Sequence, residues 1–152
     1  MGPIICICTG NVCRSPMAER LLDKALRAAG LEKPEVHSAG VAAYDGNPAT
    51  SYSIRAMNEI GVDISSHRSR YLTKKIIDEA SLLLVMTQMH KYAIEEEYGP
   101  VKTPIHLWRE FRENEKQVAD PYGADYDSYK HARDAIVEAV PDWVEWVKKN
   151  LK

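Results

Sequence analysis

Ile4, Ile5, Cys6 and Ile7 form an unbroken apolar run after Pro3. A run without alternation suits a strand buried on both faces, because both sides of the pleat then meet core. It predicts a first strand over Pro3 to Cys8. Gly10 and Asn11 break the run. Ser15-Pro16 then open a helix, with Ser as cap and Pro in the first turn. Met17, Leu21, Leu22, Ala25, Leu26 and Ala29 recur along one helical face until Gly30 stops it.

The same reading continues down the chain. Glu35 to Ser38 predicts a short second strand, followed by a loop carrying Gly40, Gly46 and Pro48. Thr50 to Ile60 predicts a helix ended by Gly61, and Asp63 to Arg70 is polar loop. Thr73 caps a helix to about Ala80. Leu82 to Met86 is the strongest strand signal, and Met89 to Tyr98 a helix closed by Gly99-Pro100. Ile105 to Trp108 is a short fourth strand. Tyr126 to Leu151 is a long terminal helix with a bend expected at Pro141, anchored by Trp143, Val144 and Val147. Strands alternating with helices imply parallel pairing through right-handed crossovers. The expected fold is therefore α/β, a three-layer doubly wound domain with a central four-stranded parallel sheet spanning residues 1–152. Ligands in such sheets sit beyond the carboxyl ends of the strands.

Composition narrows the function classes. A net charge of -2 gives no bulk electrostatic reason to expect nucleic acid or a membrane as partner. No apolar run is long enough to span a bilayer, and no basic segment precedes a long apolar stretch at the start, so a cytoplasmic location is expected. The three cysteines, Cys6, Cys8 and Cys13, crowd into one end, where they cannot staple a fold. They also make a poor zinc site unless His37 or His67 completes it. What matters is which of them is reactive.

The segment Cys8-Thr9-Gly10-Asn11-Val12-Cys13-Arg14-Ser15 holds the answer. A buried strand ends, a tight loop follows and a helix begins, so the loop and first-turn amides lack intrahelical partners. They form a concave donor surface for an anion, and Arg14 adds a planar fork matched to two phosphate oxygens. A cysteine, an amide cradle and an arginine so close together fit attack on a tetrahedral phosphorus. The nucleotide P-loop is excluded, because no lysine lies between Gly10 and Ser15. Cys6, mid-strand, reads as core.

Cys8 and Arg14 match Cys-x5-Arg, and the fuller string Cys-Thr-Gly-Asn-Val-Cys-Arg-Ser-Pro-Met-Ala-Glu, together with Asp120-Pro121-Tyr122, resembles the low-molecular-weight protein tyrosine phosphatases over nearly the whole chain. The resemblance implies that Cys8 is the nucleophile forming a phosphocysteine, Arg14 the oxyanion holder and Asp120 the general acid and base. Thr9 to Arg14 would bind phosphate, and Asn11, Ser15, Ser38 and His67 would brace the loop. Without the resemblance, Asp120-Pro121 reads as a turn. The remaining histidines, His37, His90, His106 and His131, match nothing and read as structural or exposed.

Cys13 would pair with Cys8 in a reversible disulfide that protects the nucleophile. Tyr44 and Tyr122 would wall the cleft for a phenyl ring. Val12 bears on specificity: in this family Thr accompanies phosphoarginine hydrolysis and Ile accompanies phosphotyrosine hydrolysis. Phosphotyrosine is the main expectation and phosphoarginine the alternative. The implied partners are phosphorylated proteins, with phosphate or other oxyanions as product or inhibitor. No metal or cofactor is implied, since Arg14 and the amides supply positive charge. An arsenate reductase is disfavoured by the lack of any cysteine after Cys13. An inactive phosphate-binding module is disfavoured because Cys8, Arg14 and Asp120 are all present.

Overall fold

Strand β1 (Ile4–Cys8) is an inner strand of a four-stranded sheet in the computed structural model, which describes residues 1–151. The order is β2 (Val36–Gly40), β1, β3 (Leu82–Val85), β4 (Ile105–Leu107), and every neighbouring pair is parallel. All five residues of β1 and all four of β3 are buried, as their unbroken apolar sequence requires.

Alternation along the strands feeds two cores. Ile4, Cys6, Leu82 and Leu84 face α1 (Arg14–Ala28), α2 (Ser51–Asn58) and α5 (Tyr126–Asn150). Ile5, Ile7, Leu83 and Val85 face α3 (Lys74–Glu79) and α4 (Gln88–Tyr98). The chain therefore leaves β1 toward one face and β3 toward the other. The crevice between those divergent connections is a topological switch point, and the Cys8–Ser15 loop sits in it. Among the described residues, no helix is long and apolar enough to cross a membrane.

Several boundaries move. β2 runs on to Gly40, beyond the expected end at Ser38, because Gly40 bonds to both sides of a polar loop: its N–H donates to Arg70 O and its carbonyl accepts from Leu72 N, each at 3.0 Å. β4 stops at Leu107, yet Trp108 N still donates to Val85 O at 2.8 Å. Thr73 caps α3 as expected, its side chain accepting from Ile76 N. Thr50 lies outside α2 as its cap, and α2 ends at Asn58, short of Ile60.

The helix after the loop starts two residues earlier than expected, at Arg14, with Cys13 rather than Ser15 as its N-cap and no side-chain cap bond. Ser15 is not the cap: it lies buried in the first turn, where its hydroxyl is drawn to the loop. Helix α5 continues through Pro141. Two tryptophans lock it to the end of the sheet: Trp108 Nε1 donates to Ile136 O at 3.0 Å, and Trp143 Nε1 to Trp108 O at 2.6 Å.

Candidate active site

The loop from Thr9 to Cys13 is turned inside out by its surroundings. Its carbonyls point away and are taken by neighbours: Val41 N donates to Cys8 O (3.0 Å), Ala42 N to Thr9 O (2.9 Å), His67 Nε2 to Asn11 O (2.7 Å), Thr50 N to Val12 O (2.9 Å) and Ser53 Oγ to Cys13 O (3.2 Å). Among the described residues, no backbone bond outside the helices and strands uses the N–H groups of Gly10 to Cys13. Carbonyls anchored outward on one side of a tight loop leave the amides as a concave donor surface. The close approach of β2 completes the packing. A Cβ at Gly40 would lie 2.4 Å from Thr9 O and 2.9 Å from Asn11 N, so only glycine fits beneath the loop.

Asn11 is the loop's inner brace. It is fully buried and adopts a left-handed backbone with φ of 56°, a conformation that asparagine tolerates better than most residues. Its side-chain amide donates to Ser15 Oγ (2.7 Å) and Ser38 Oγ (2.9 Å), while Oδ1 accepts from Arg70 N (2.9 Å). Ser38 in turn donates to Glu19, whose carboxylate lies 4.0 Å from His67 Nδ1. The Ser15 hydroxyl, having accepted from Asn11, has its own hydrogen free for Cys8 Sγ, 3.0 Å away. The brace residues Asn11, Ser15, Ser38 and His67 thus form one connected network ending on the Cys8 sulfur. Sequence reasoning missed Glu19 in it. Its position four residues after Ser15, one helical turn on, is the signal that would have found it.

Arg14 is buried, its side chain 3% exposed. Nη1 donates to Val118 O at 2.8 Å, Nη2 to Thr9 Oγ1 at 3.4 Å, and Nη2 lies 3.7 Å from Asp120 Oδ2. Nε is buried without a partner among the described residues, which leaves a charged donor for an oxyanion. Val118, buried before the Asp120 turn, bonds through its N–H to Met86 O at 2.9 Å. Asp120 Oδ1 accepts from Tyr122 N at 3.0 Å. The turn reading of Asp120-Pro121 and a position beside Arg14 are therefore both true of the same carboxylate.

Cys8, Thr9, Gly10, Val12, Cys13 and Arg14 line a cleft of about 330 Å³ with Tyr44, Asp120 and Tyr122 at its mouth. The two tyrosines are exposed. Cys13 Sγ lies 3.7 Å from Tyr129 OH and 3.8 Å from Thr50 Oγ1. Burial pushes the Cys13 thiol up, against the pull of those two hydroxyls, and pushes the Tyr129 phenol up to about 12. Cys6 is fully buried in the core.

His90 departs from its reading as an unconnected histidine. Its buried ring lies with Nε2 2.9 Å from Thr9 Oγ1, while Nδ1 accepts from Thr87 N at 3.1 Å. The second contact closes the first turn of α4, so a structural reading holds in part. Burial, and then the Arg14 charge, push the ring down to about 4, with Asp120 opposing. The other unmatched histidines stay out of the cleft: His37 lies near Glu35, His106 near Glu110, and His131 is exposed.

The family model described as low molecular weight phosphotyrosine protein phosphatase matches residues 3–152. A relative from Bacillus subtilis named protein-arginine-phosphatase is 35% identical, covering 98% of this chain and 99% of its own. One from Ralstonia nicotianae, named probable low molecular weight protein-tyrosine-phosphatase EpsP, is 34% identical over 95% of each chain. Among solved structures, a YwlE arginine phosphatase mutant with a phosphorylated active-site serine in place of cysteine superposes with a TM-score of 0.89. It is 34% identical over 97% of each chain.

Proposed function

The chain belongs to the low molecular weight phosphotyrosine protein phosphatase family, and from that premise we propose that it hydrolyses protein phosphotyrosine through a phosphocysteine intermediate. The observation that carries the mechanism is the Ser15 hydroxyl: with Asn11 donating to it, its hydrogen is turned to the Cys8 sulfur and stabilises a thiolate there. The thiolate attacks phosphorus, forming the S–P bond as the P–O bond to the tyrosine breaks. Arg14 and the free amides of the loop hold the phosphoryl oxygens as charge develops on them. Asp120 gives its proton to the departing phenolate oxygen.

In the second step a water attacks phosphorus and breaks the S–P bond. Asp120 takes a proton from that water, phosphate leaves and the Cys8 thiolate is restored. A phosphorylated serine at the active-site position of YwlE supports covalent transfer to this side chain. Tyr44 and Tyr122 suit the flat ring of the substrate, and the phosphorylated side chain of a protein is what enters. The test is hydrolysis of p-nitrophenyl phosphate, with burst-phase trapping of the phosphoenzyme. Turnover by the native chain and none by Cys8→Ser is expected; full turnover by Cys8→Ser overturns the mechanism.

A second reading, protein phosphoarginine as substrate, is favoured by the Bacillus subtilis relative's name. Val12 lines the cleft at the position where the two readings diverge, with the shape of threonine and the polarity of isoleucine. Valine has no hydroxyl with which to hold a guanidinium nitrogen, which is why phosphotyrosine is preferred. The comparison is kcat/KM on phosphotyrosine and phosphoarginine peptides for the native chain and Val12→Thr. Higher native efficiency on phosphoarginine reverses the choice.

A further inference from the structure

We infer that His90 is a positioning residue for this site: through the Thr9 hydroxyl it steadies Arg14 and turns the Thr9 O–H into the cleft as a donor to the phosphoryl group. The inference rests on the phosphatase reading above, adds His90 to its machinery and gives the Thr9 side chain a stated part in it.

The hydrogen positions follow from the contacts. Thr87 N–H donates to His90 Nδ1 at 3.1 Å, which takes that nitrogen's lone pair. A neutral ring then carries its hydrogen on Nε2, the atom 2.9 Å from Thr9 Oγ1. Arg14 Nη2 also donates to Thr9 Oγ1, at 3.4 Å. A hydroxyl oxygen has two lone pairs, and both are engaged. The hydrogen of the Thr9 hydroxyl must therefore point elsewhere, and Thr9 is exposed on the wall of the cleft that holds Cys8. The two charges near the ring are Arg14 and Asp120. Burial, and after it the Arg14 charge, favour the neutral ring.

The arrangement also joins the two faces of the sheet. His90 stands in the first turn of α4, which packs on the face opposite α1, and it reaches a loop residue 81 positions away. Helix capping alone requires only Nδ1. It does not require that Nε2 meet a hydroxyl already bound to the catalytic arginine.

The test compares Thr9→Val, Thr9→Ser, His90→Leu, His90→Gln and the Thr9→Val/His90→Leu double variant. Orthovanadate affinity is measured by calorimetry, kcat/KM on p-nitrophenyl phosphate by absorbance, and folding by thermal melting. Thr9→Val and His90→Leu should each weaken vanadate and lower kcat/KM by about tenfold, the size of one lost hydrogen bond to a charged group. The double variant should lose no more than either single one, because the two side chains act as a unit. Thr9→Ser and His90→Gln should recover most of the loss, since each keeps the hydrogen-bonding atom.

Vanadate affinity unchanged in Thr9→Val, or losses that multiply in the double variant, would overturn the inference. A purely structural His90 would lower the melting temperature of His90→Leu without moving its vanadate affinity. If His90→Leu does not fold, Thr9→Val against Thr9→Ser decides alone. Loss of vanadate affinity in Thr9→Val in a chain with no native turnover would sink the phosphatase reading and leave this assignment standing.

Discussion

Arg14 Nη2 lies 3.7 Å from Asp120 Oδ2, so the cation placed to hold an oxyanion already leans on the proposed acid. A bound phosphate and the Asp120 carboxylate then share one guanidinium and repel each other. Asp120→Asn should therefore tighten orthophosphate binding a few-fold, since like charges near 4 Å cost about 1 kcal/mol in a water-like medium. The same variant should slow phenyl phosphate by about 10² to 10⁴ and p-nitrophenyl phosphate much less, because a good leaving group needs little protonation. Equilibrium dialysis and steady-state rates on the two esters separate the effects.

Arg14→Lys keeps the charge and loses the fork. Lysine cannot serve Val118 O, Thr9 Oγ1 and an oxyanion together from one nitrogen. A fall in kcat/KM on p-nitrophenyl phosphate of about 100-fold or more is expected, the scale of a lost oxyanion donor. A change under threefold would show that charge alone suffices.

Asn11→Asp preserves shape and inverts the network. Both donations from Asn11, to Ser15 and Ser38, vanish. Ser15 would turn its hydrogen from the Cys8 sulfur to the new carboxylate, and a second negative charge would face Glu19 across Ser38. Urea unfolding should show a loss of about 2 to 3 kcal/mol, since buried partners are left unpaired. Turnover of p-nitrophenyl phosphate should fall at least tenfold.

His90 makes stability depend on pH in a known direction. Its folded value, near 4, lies below the ordinary histidine range, so the unfolded chain binds the proton more readily. The contribution is full above about pH 6.5, the unfolded value, and is lost as pH falls toward 4. It amounts to about 3 kcal/mol at most by the usual conversion of a pKa difference. Urea unfolding from pH 7 to pH 4 should therefore show a steeper loss for the native chain than for His90→Gln. Parallel slopes would exclude His90 as the source.

Cys8 and Cys13 open onto the same cleft, five residues apart in sequence. Mild peroxide should give a peptide linked between Cys8 and Cys13, with activity returning under dithiothreitol. Mass spectrometry showing only sulfinic Cys8 would count against this protection.

The parts of the site that were legible in the sequence are those set by local pattern. The apolar run of β1, the break at Gly10-Asn11 and the Met17, Leu22 and Leu26 face place the loop at the end of an inner strand, between opposed helices. The cap chemistry of Ser15 points to a later start of α1 than the structure has. Buried Asn11, held in a left-handed conformation, takes that hydroxyl for the loop instead. Asp120 was picked out only by resemblance, since its pairing with Arg14 spans most of the chain. His90 gave no sign at all: its partner Thr9 lies in another element, and nothing in local spacing records a contact made by two connections diverging at β1 and β3.

The two bonds of Val118 have a consequence for motion. Its N–H is fixed to the end of β3 and its carbonyl to Arg14, two residues before Asp120. The proposed acid is tethered at its root to Arg14. Enzymes that carry a catalytic group on a mobile lid wait microseconds to milliseconds for it to swing shut. Here the carboxylate proposed as acid is held beside Arg14 by the backbone that precedes it, so closure of a lid is one wait that a phosphorylated side chain entering the cleft is spared.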